Sequence, residues 1–136
     1  MKKAIGIDPG DARIGVAGSD DLGLLAHPLE TIPATKGKPL ERILQIAAER
    51  GAEAIVVGMP RNMDGSHGPA AEKARHLIDE LRKITSLPII PWDERLTTVA
   101  AERSLRESGR NAKQQKSVID QVAAQILLQS WLDSQA

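Results

Sequence analysis

The stretch Lys3–Ser19, KAIGIDPGDARIGVAGS, decides the architecture. Residues 3–8 (KAIGID) form a short apolar run of the kind a sheet buries. Pro9-Gly10 then supplies a sharp turn, and residues 13–19 (RIGVAGS) read as a second strand pairing back on the first. The first strand ends on an acid, Asp8. Its side chain projects at the carboxyl edge of the sheet, where open α/β sheets hold their ligands. A purely local role also accounts for it, since an Asp before a turn can hydrogen-bond the backbone just ahead.

Outward from this hairpin, a third strand is expected over about 23–32. Pro28 interrupts it and, lacking an N–H, places it at a sheet edge. Residues 33–39 carry prolines, a glycine and lysines and read as a loop. Leu40, Ile43, Leu44 and Ala47 recur at helical spacing, so a helix runs over about 39–50 and stops at Gly51. EAIVVG at 53–58 is an unbroken apolar run, as in a parallel strand covered on both faces. A loop, MPRNMDGSHGP, fills 59–69. Helix follows over about 70–84, a strand at 87–92 (LPIIPW), a helix over about 97–108 ended by Gly109, and a last helix over about 115–133. Strands first and alternation afterwards predict an α/β domain spanning 1–136. Its five-stranded mixed sheet has three antiparallel strands, two more added through helical crossovers, and flanking helices.

Composition removes several classes of function. There is no cysteine, so disulfides, thiolate metal sites and cysteine nucleophiles are excluded. Phe and Tyr are absent, and Trp92 and Trp131 alone cannot make an aromatic platform for stacking bases. Neither a P-loop nor G-x-S-x-G is present. The apolar start breaks at Asp8, too early for a signal peptide, and no later run approaches a membrane span, so a cytoplasmic protein is expected. The net charge is zero. Its distribution is uneven, with six bases against two acids between Arg95 and Lys116, a pattern that suits either a phosphate contact or a solvated helix face.

Two further acids stand where acids are costly. Asp93-Glu94 directly follows an apolar strand. Neighbours in an extended chain point to opposite sides, so one of the two shares the side of Asp8. Glu94 has the longer reach, and Asp93 suits capping of the helix that follows. Asp120 lies on the last helix, where Gln121, Gln125 and Gln129 make a polar stripe while Asp120 falls in the apolar arc between Leu127 and Trp131. A carboxylate there needs a hydrogen-bond network, a metal or the cation of an Arg or Lys. Ala123 and Ala124, one turn on, let the helix approach the sheet. Three carboxylates without Cys or paired His select a hard ion, Mg²⁺ or Mn²⁺. His27, His67 and His76 lack metal-ligand spacing and read as surface residues. In the glycine-rich loop Arg61 and Asn62 are candidate phosphate contacts.

At these residues the chain resembles the YqgF/RuvX family, described as RuvC-like Holliday junction resolvases and as pre-16S ribosomal RNA nucleases. The matching segments are GIDPGDARIGVA at 6–17, VVGMPRNMDGS at 56–66, DERLTT at 93–98 and SVIDQVAAQILLQSWLD at 117–133. The resemblance implies an RNase H-like fold and metal-dependent phosphodiester cleavage, with catalytic acids Asp8, Glu94 and Asp120. Members often carry Thr-Lys where this chain has Asp11-Ala12, which removes a base beside the site and adds an acid, although Arg13 remains. The expected function is a nuclease maturing the 5′ end of pre-16S ribosomal RNA. Mg²⁺ or Mn²⁺ is held by Asp8, Glu94 and Asp120, and Arg13, Arg61, Asn62, Arg95, Arg110, Lys113 and Lys116 grip the nucleic acid. The alternatives are a dimeric resolvase of branched DNA and a non-catalytic RNA-binding factor acting on ribosomal precursor particles.

Overall fold

The computed structural model describes residues 3–60, 68–93 and 112–135. Strands β1 (Ala4–Asp8), β2 (Arg13–Ser19) and β3 (Ala26–Pro33) lead into helix α1 (Pro39–Glu49) and strand β4 (Ala54–Met59). Helix α2 (Pro69–Ile84), strand β5 (Ile89–Asp93) and helix α3 (Ala112–Ser134) complete the described elements. They form one five-stranded sheet in the order β3-β2-β1-β4-β5. The β1–β2 and β2–β3 pairs are antiparallel, and β4 and β5 join in parallel. This is the expected mixed sheet, with the Pro28 strand at an edge.

The strand pleat sorts the two cores. Ile5, Ile7, Ile14, Val16, Ile55 and Val57 point to one face, where they pack on Ile43 and Ile46 of α1 and Ala74, Ile78 and Leu81 of α2. Their alternating neighbours Ala4, Ala17 and Val56 point to the other face and meet Ala124, Leu127, Leu128 and Trp131 of α3. The side chains of Leu127 and Leu128 are fully buried, and each contributes about 1.5–3 kcal/mol of apolar burial. Helix α3 lies very close to the sheet because the residues beneath it are small. A Cβ at Gly6 would sit 2.8 Å from the Leu128 Cβ and 3.1 Å from the Ala124 carbonyl oxygen. A Cβ at Gly15 would fall on the backbone carbonyl of Asp120 itself.

Two expectations need correction. The third strand begins at Ala26, not at residue 23, because a turn occupies the residues before it. The Asp20 amide donates to the Leu25 carbonyl at 2.9 Å, the Leu24 amide to Asp20 Oδ1 at 2.8 Å, and Gly23 adopts φ +68°. Those backbone bonds to its carboxylate hold the Asp20 pKa below its ordinary value. The fifth strand likewise starts at Ile89, not at residue 87. The polar stripe of α3 faces the hairpin of β2 and β3. Gln121 donates to Thr31 Oγ1 at 3.0 Å, Gln125 to the Ala26 carbonyl at 3.1 Å and Gln129 to the Leu24 carbonyl at 2.9 Å. The Ala26 amide in turn donates to Gln129 Oε1 at 2.9 Å, so the stripe clasps the edge strand and occupies its outward backbone groups. The expected helix over 97–108 lies outside the described residues. Among them, no helix is long and apolar enough to cross a membrane.

Candidate active site

Asp8 is the last residue of β1, and its Cα partner on β2 is Gly15. Ala4 faces α3 and Gly6 lies directly beneath it, so the pleat sends Asp8 to the same side, at the end of the sheet. Asp120 reaches that place from above, since its own backbone carbonyl rests on Gly15. Gly15 therefore joins the two acids: it is paired with one and lies beneath the other. Gly15 itself puts no side chain between them. Sequence reading singled out Ala123 and Ala124 for the close approach and missed the glycine across from them. A glycine between the β-branched Ile14 and Val16 was the available signal.

Asp120 has a cation partner. Arg13, the first residue of β2, donates from Nε to Asp120 Oδ2 at 2.7 Å. The Asp120 side chain is 19% exposed and that of Arg13 39% exposed, so the pair sits at the rim of the packed helix face with the guanidinium partly in solvent. Of the partners open to Asp120, the structure presents an arginine. Arg13, expected as a nucleic-acid contact, is here bonded to a candidate catalytic acid.

Strand β5 leads to the Asp93-Glu94 pair. Trp92 faces α3, where its indole N–H donates to Ser130 Oγ at 3.2 Å. Asp93, next along the strand and paired with Met59, therefore stands on the opposite pleat from Asp8. Glu94 follows Asp93 and lies outside the described residues, as do Arg61, Asn62, Arg95 and Arg110. Lys113 and Lys116 fall on the first turns of α3. Among the described residues no three acids or histidines converge as a metal site. The described part of the site is thus Asp8, Asp120, Arg13 and the Gly15 platform.

The departure at Asp11 has a structural answer. Lys73 of α2 donates from Nζ to Asp11 Oδ1, so the added acid is matched by a base from another element. That pair borders a cavity of about 400 Å³ between the β1–β2 turn and α1 and α2, lined by Pro9, Ile14, Leu40 and Leu77 with exposed His76 at its rim. It opens on the face of the sheet away from Asp120.

A sheet with this strand order and direction, bearing acids at the end of its central strand and on the helix crossing it, is an RNase H-like domain. Solved structures agree on the fold. A complex titled "T. thermophilus RuvC in complex with Holliday junction substrate" aligns with a TM-score of 0.52 at 16% identity, covering 93% of this chain and 92% of that one. The fowlpox virus resolvase, solved with Holliday junction DNA, aligns with a TM-score of 0.57 at 9% identity over 98% of each chain. The family model RuvX, described as Holliday junction resolvase, matches residues 2–134. A relative from Acetivibrio thermocellus named "Putative pre-16S rRNA nuclease" is 47% identical over 135 residues, 97% of this chain and 96% of its own. Another of the same name from Halothermothrix orenii is 50% identical over 134 residues, 98% of this chain and 96% of its own. The chain belongs to the RuvX family, which sets it among the hydrolytic nucleases of the RNase H-like class.

Proposed function

We propose that this chain hydrolyses phosphodiesters at a divalent-metal site formed by Asp8, Glu94 and Asp120, and that its substrate is the immature 5′ end of 16S ribosomal RNA. The observation that carries the reading is the convergence of Asp8 and Asp120 over Gly15. Two carboxylates held on one face at a sheet end repel each other unless a cation lies between them. The donor set is oxygen only, which suits Mg²⁺ or Mn²⁺, and Asp120 already binds a cation in the form of the Arg13 guanidinium. The residues fit the ion. Asp93 stands on the wrong pleat for this cluster, which favours Glu94 as the third acid.

Each residue then has a task. Asp8 and Asp120 would hold the metal, with Glu94 completing the acid set, and the Gly15 contact makes the placement of Asp120 rigid. A divalent ion bound there would supply a more acidic water and offset charge on the leaving oxygen. Arg61, Asn62, Arg95, Arg110, Lys113 and Lys116 hold the phosphate backbone, contacts that position a nucleic acid without reading its sequence. The names of relatives that match this chain almost end to end support ribosomal RNA as the polymer.

The description of the family model favours a second reading, a resolvase of four-way DNA junctions. The two are separated by incubating the protein with a pre-16S RNA fragment and with a four-way junction, each with Mn²⁺ and each with EDTA. Metal-dependent cleavage of the RNA, with the junction left whole, is expected. Cleavage of the junction alone would establish the second reading. Binding of RNA that leaves it intact in Mn²⁺ would identify a non-catalytic assembly factor.

A further inference from the structure

We infer that Arg13 is a resident cation for Asp120, holding the metal-site carboxylate until a divalent ion displaces it. The inference rests on the proposed metal site and goes beyond it by giving Arg13 a positioning role in metal loading. Three observations carry it. The Arg13 Nε lies 2.7 Å from Asp120 Oδ2, hydrogen-bond distance to an atom expected to ligate the ion. The Asp120 backbone is held in place, because its carbonyl sits directly on Gly15 and Ala123 and Ala124 behind it are buried. Arg13 is the more exposed member of the pair. Its side chain is 39% exposed, against 19% for Asp120, so it can turn outward into solvent while the carboxylate stays.

A divalent ion on Asp120 and the guanidinium on the same carboxylate are two like charges at short range. Each therefore weakens the other, and by linkage the weakening is mutual. In the metal-free protein Arg13 offsets the charge of Asp120. With metal in place its guanidinium is released toward the open end of the sheet, where it is available to a phosphate. The same positive charge thus serves the carboxylate before metal binds and the substrate path afterwards.

The test is calorimetric titration of Mn²⁺ into the full chain without nucleic acid, for wild type, Arg13→Gln, Arg13→Lys and Asp120→Asn. Arg13→Gln is expected to bind Mn²⁺ about fivefold or more tightly, the lower end of ordinary coupling between sites. Arg13→Lys, which keeps the charge, should stay near wild type, and Asp120→Asn should bind more weakly. Equal or weaker Mn²⁺ binding by Arg13→Gln, with Asp120→Asn weakened, would overturn the role of Arg13 and leave the metal site standing. No binding by wild type, or binding unaffected in Asp120→Asn, would remove the metal site and this inference with it. A second measurement does not depend on a variant folding. The Arg13 Nε–H resonance of wild type should shift on titration with Mg²⁺, and a resonance that stays fixed at saturation contradicts displacement.

Discussion

Gly15 is the residue on which the site's geometry turns. It is the Cα partner of Asp8 and the seat of the Asp120 carbonyl, so a methyl group there has nowhere to go. The obstacle is backbone, which cannot rotate aside as a side chain can. Gly15→Ala should therefore cost about 1–3 kcal/mol or more, the usual range for overpacking, measured by urea denaturation. Gly6→Ala meets the Leu128 side chain as well as the Ala124 carbonyl and should cost less. An equal cost at the two positions would argue against the close seat of α3 on β2. Asp120 shows how far sequence alone reaches. Helical periodicity places it in the apolar arc and demands a charge partner. The identity of that partner depends on a contact across 107 residues, which no local period encodes.

At the scale of elements, the unexpected feature is the way α3 secures the edge of the sheet. Gln121, Gln125 and Gln129 recur every four residues, and a helical wheel reads such a stripe as solvated. Here it bonds Thr31, Ala26 and Leu24 of the β2–β3 hairpin. Polarity was legible and its partner was not, because an exposed helix face and a face bonded to an edge strand have the same composition. Gln129→Ala removes bonds to both Leu24 and Ala26 and should destabilise the fold by about 1 kcal/mol for each bond whose loss is not made good by water. Hydrogen exchange at Ala26 should rise in parallel.

Strand β3 is tied to α1 on its other side. Arg42 Nε and Nη2 donate to the two Glu30 carboxylate oxygens at 3.0 and 2.6 Å. The Arg42 hydrogen bonds hold the Glu30 pKa below its ordinary value, and Glu30 raises that of Arg42. Because the folded-state pKa of Glu30 is depressed, its stabilising effect is full above the unfolded pKa and is lost as pH falls through the folded one. Thermal melts should show Glu30→Gln below wild type at neutral pH, with the gap closing in acid. A gap that persists undiminished below the carboxylate range would show that packing, not charge, sets it.

At the scale of the whole molecule, the three antiparallel strands followed by two crossover strands, the edge placement of the Pro28 strand and the two-sided burial of β4 were readable from apolar runs and turn residues. The ends of β3 and β5 were misjudged because Leu24, Leu25, Leu87 and Pro88 extend an apolar pattern into turns that hydrogen bonding closes. What the assembled sheet adds is convergence, since Asp8 and Asp120 lie 112 positions apart in the chain and meet over one glycine. If this meeting point is a metal-dependent hydrolytic site, wild type and Asp8→Asn will differ on the same pre-16S RNA fragment in Mn²⁺. Asp8→Asn should lose cleavage by more than the about tenfold to hundredfold that removal of an outer-shell partner costs, with the fold intact by circular dichroism. Equal cleavage by the two proteins, or cleavage by wild type undiminished in EDTA, would contradict it.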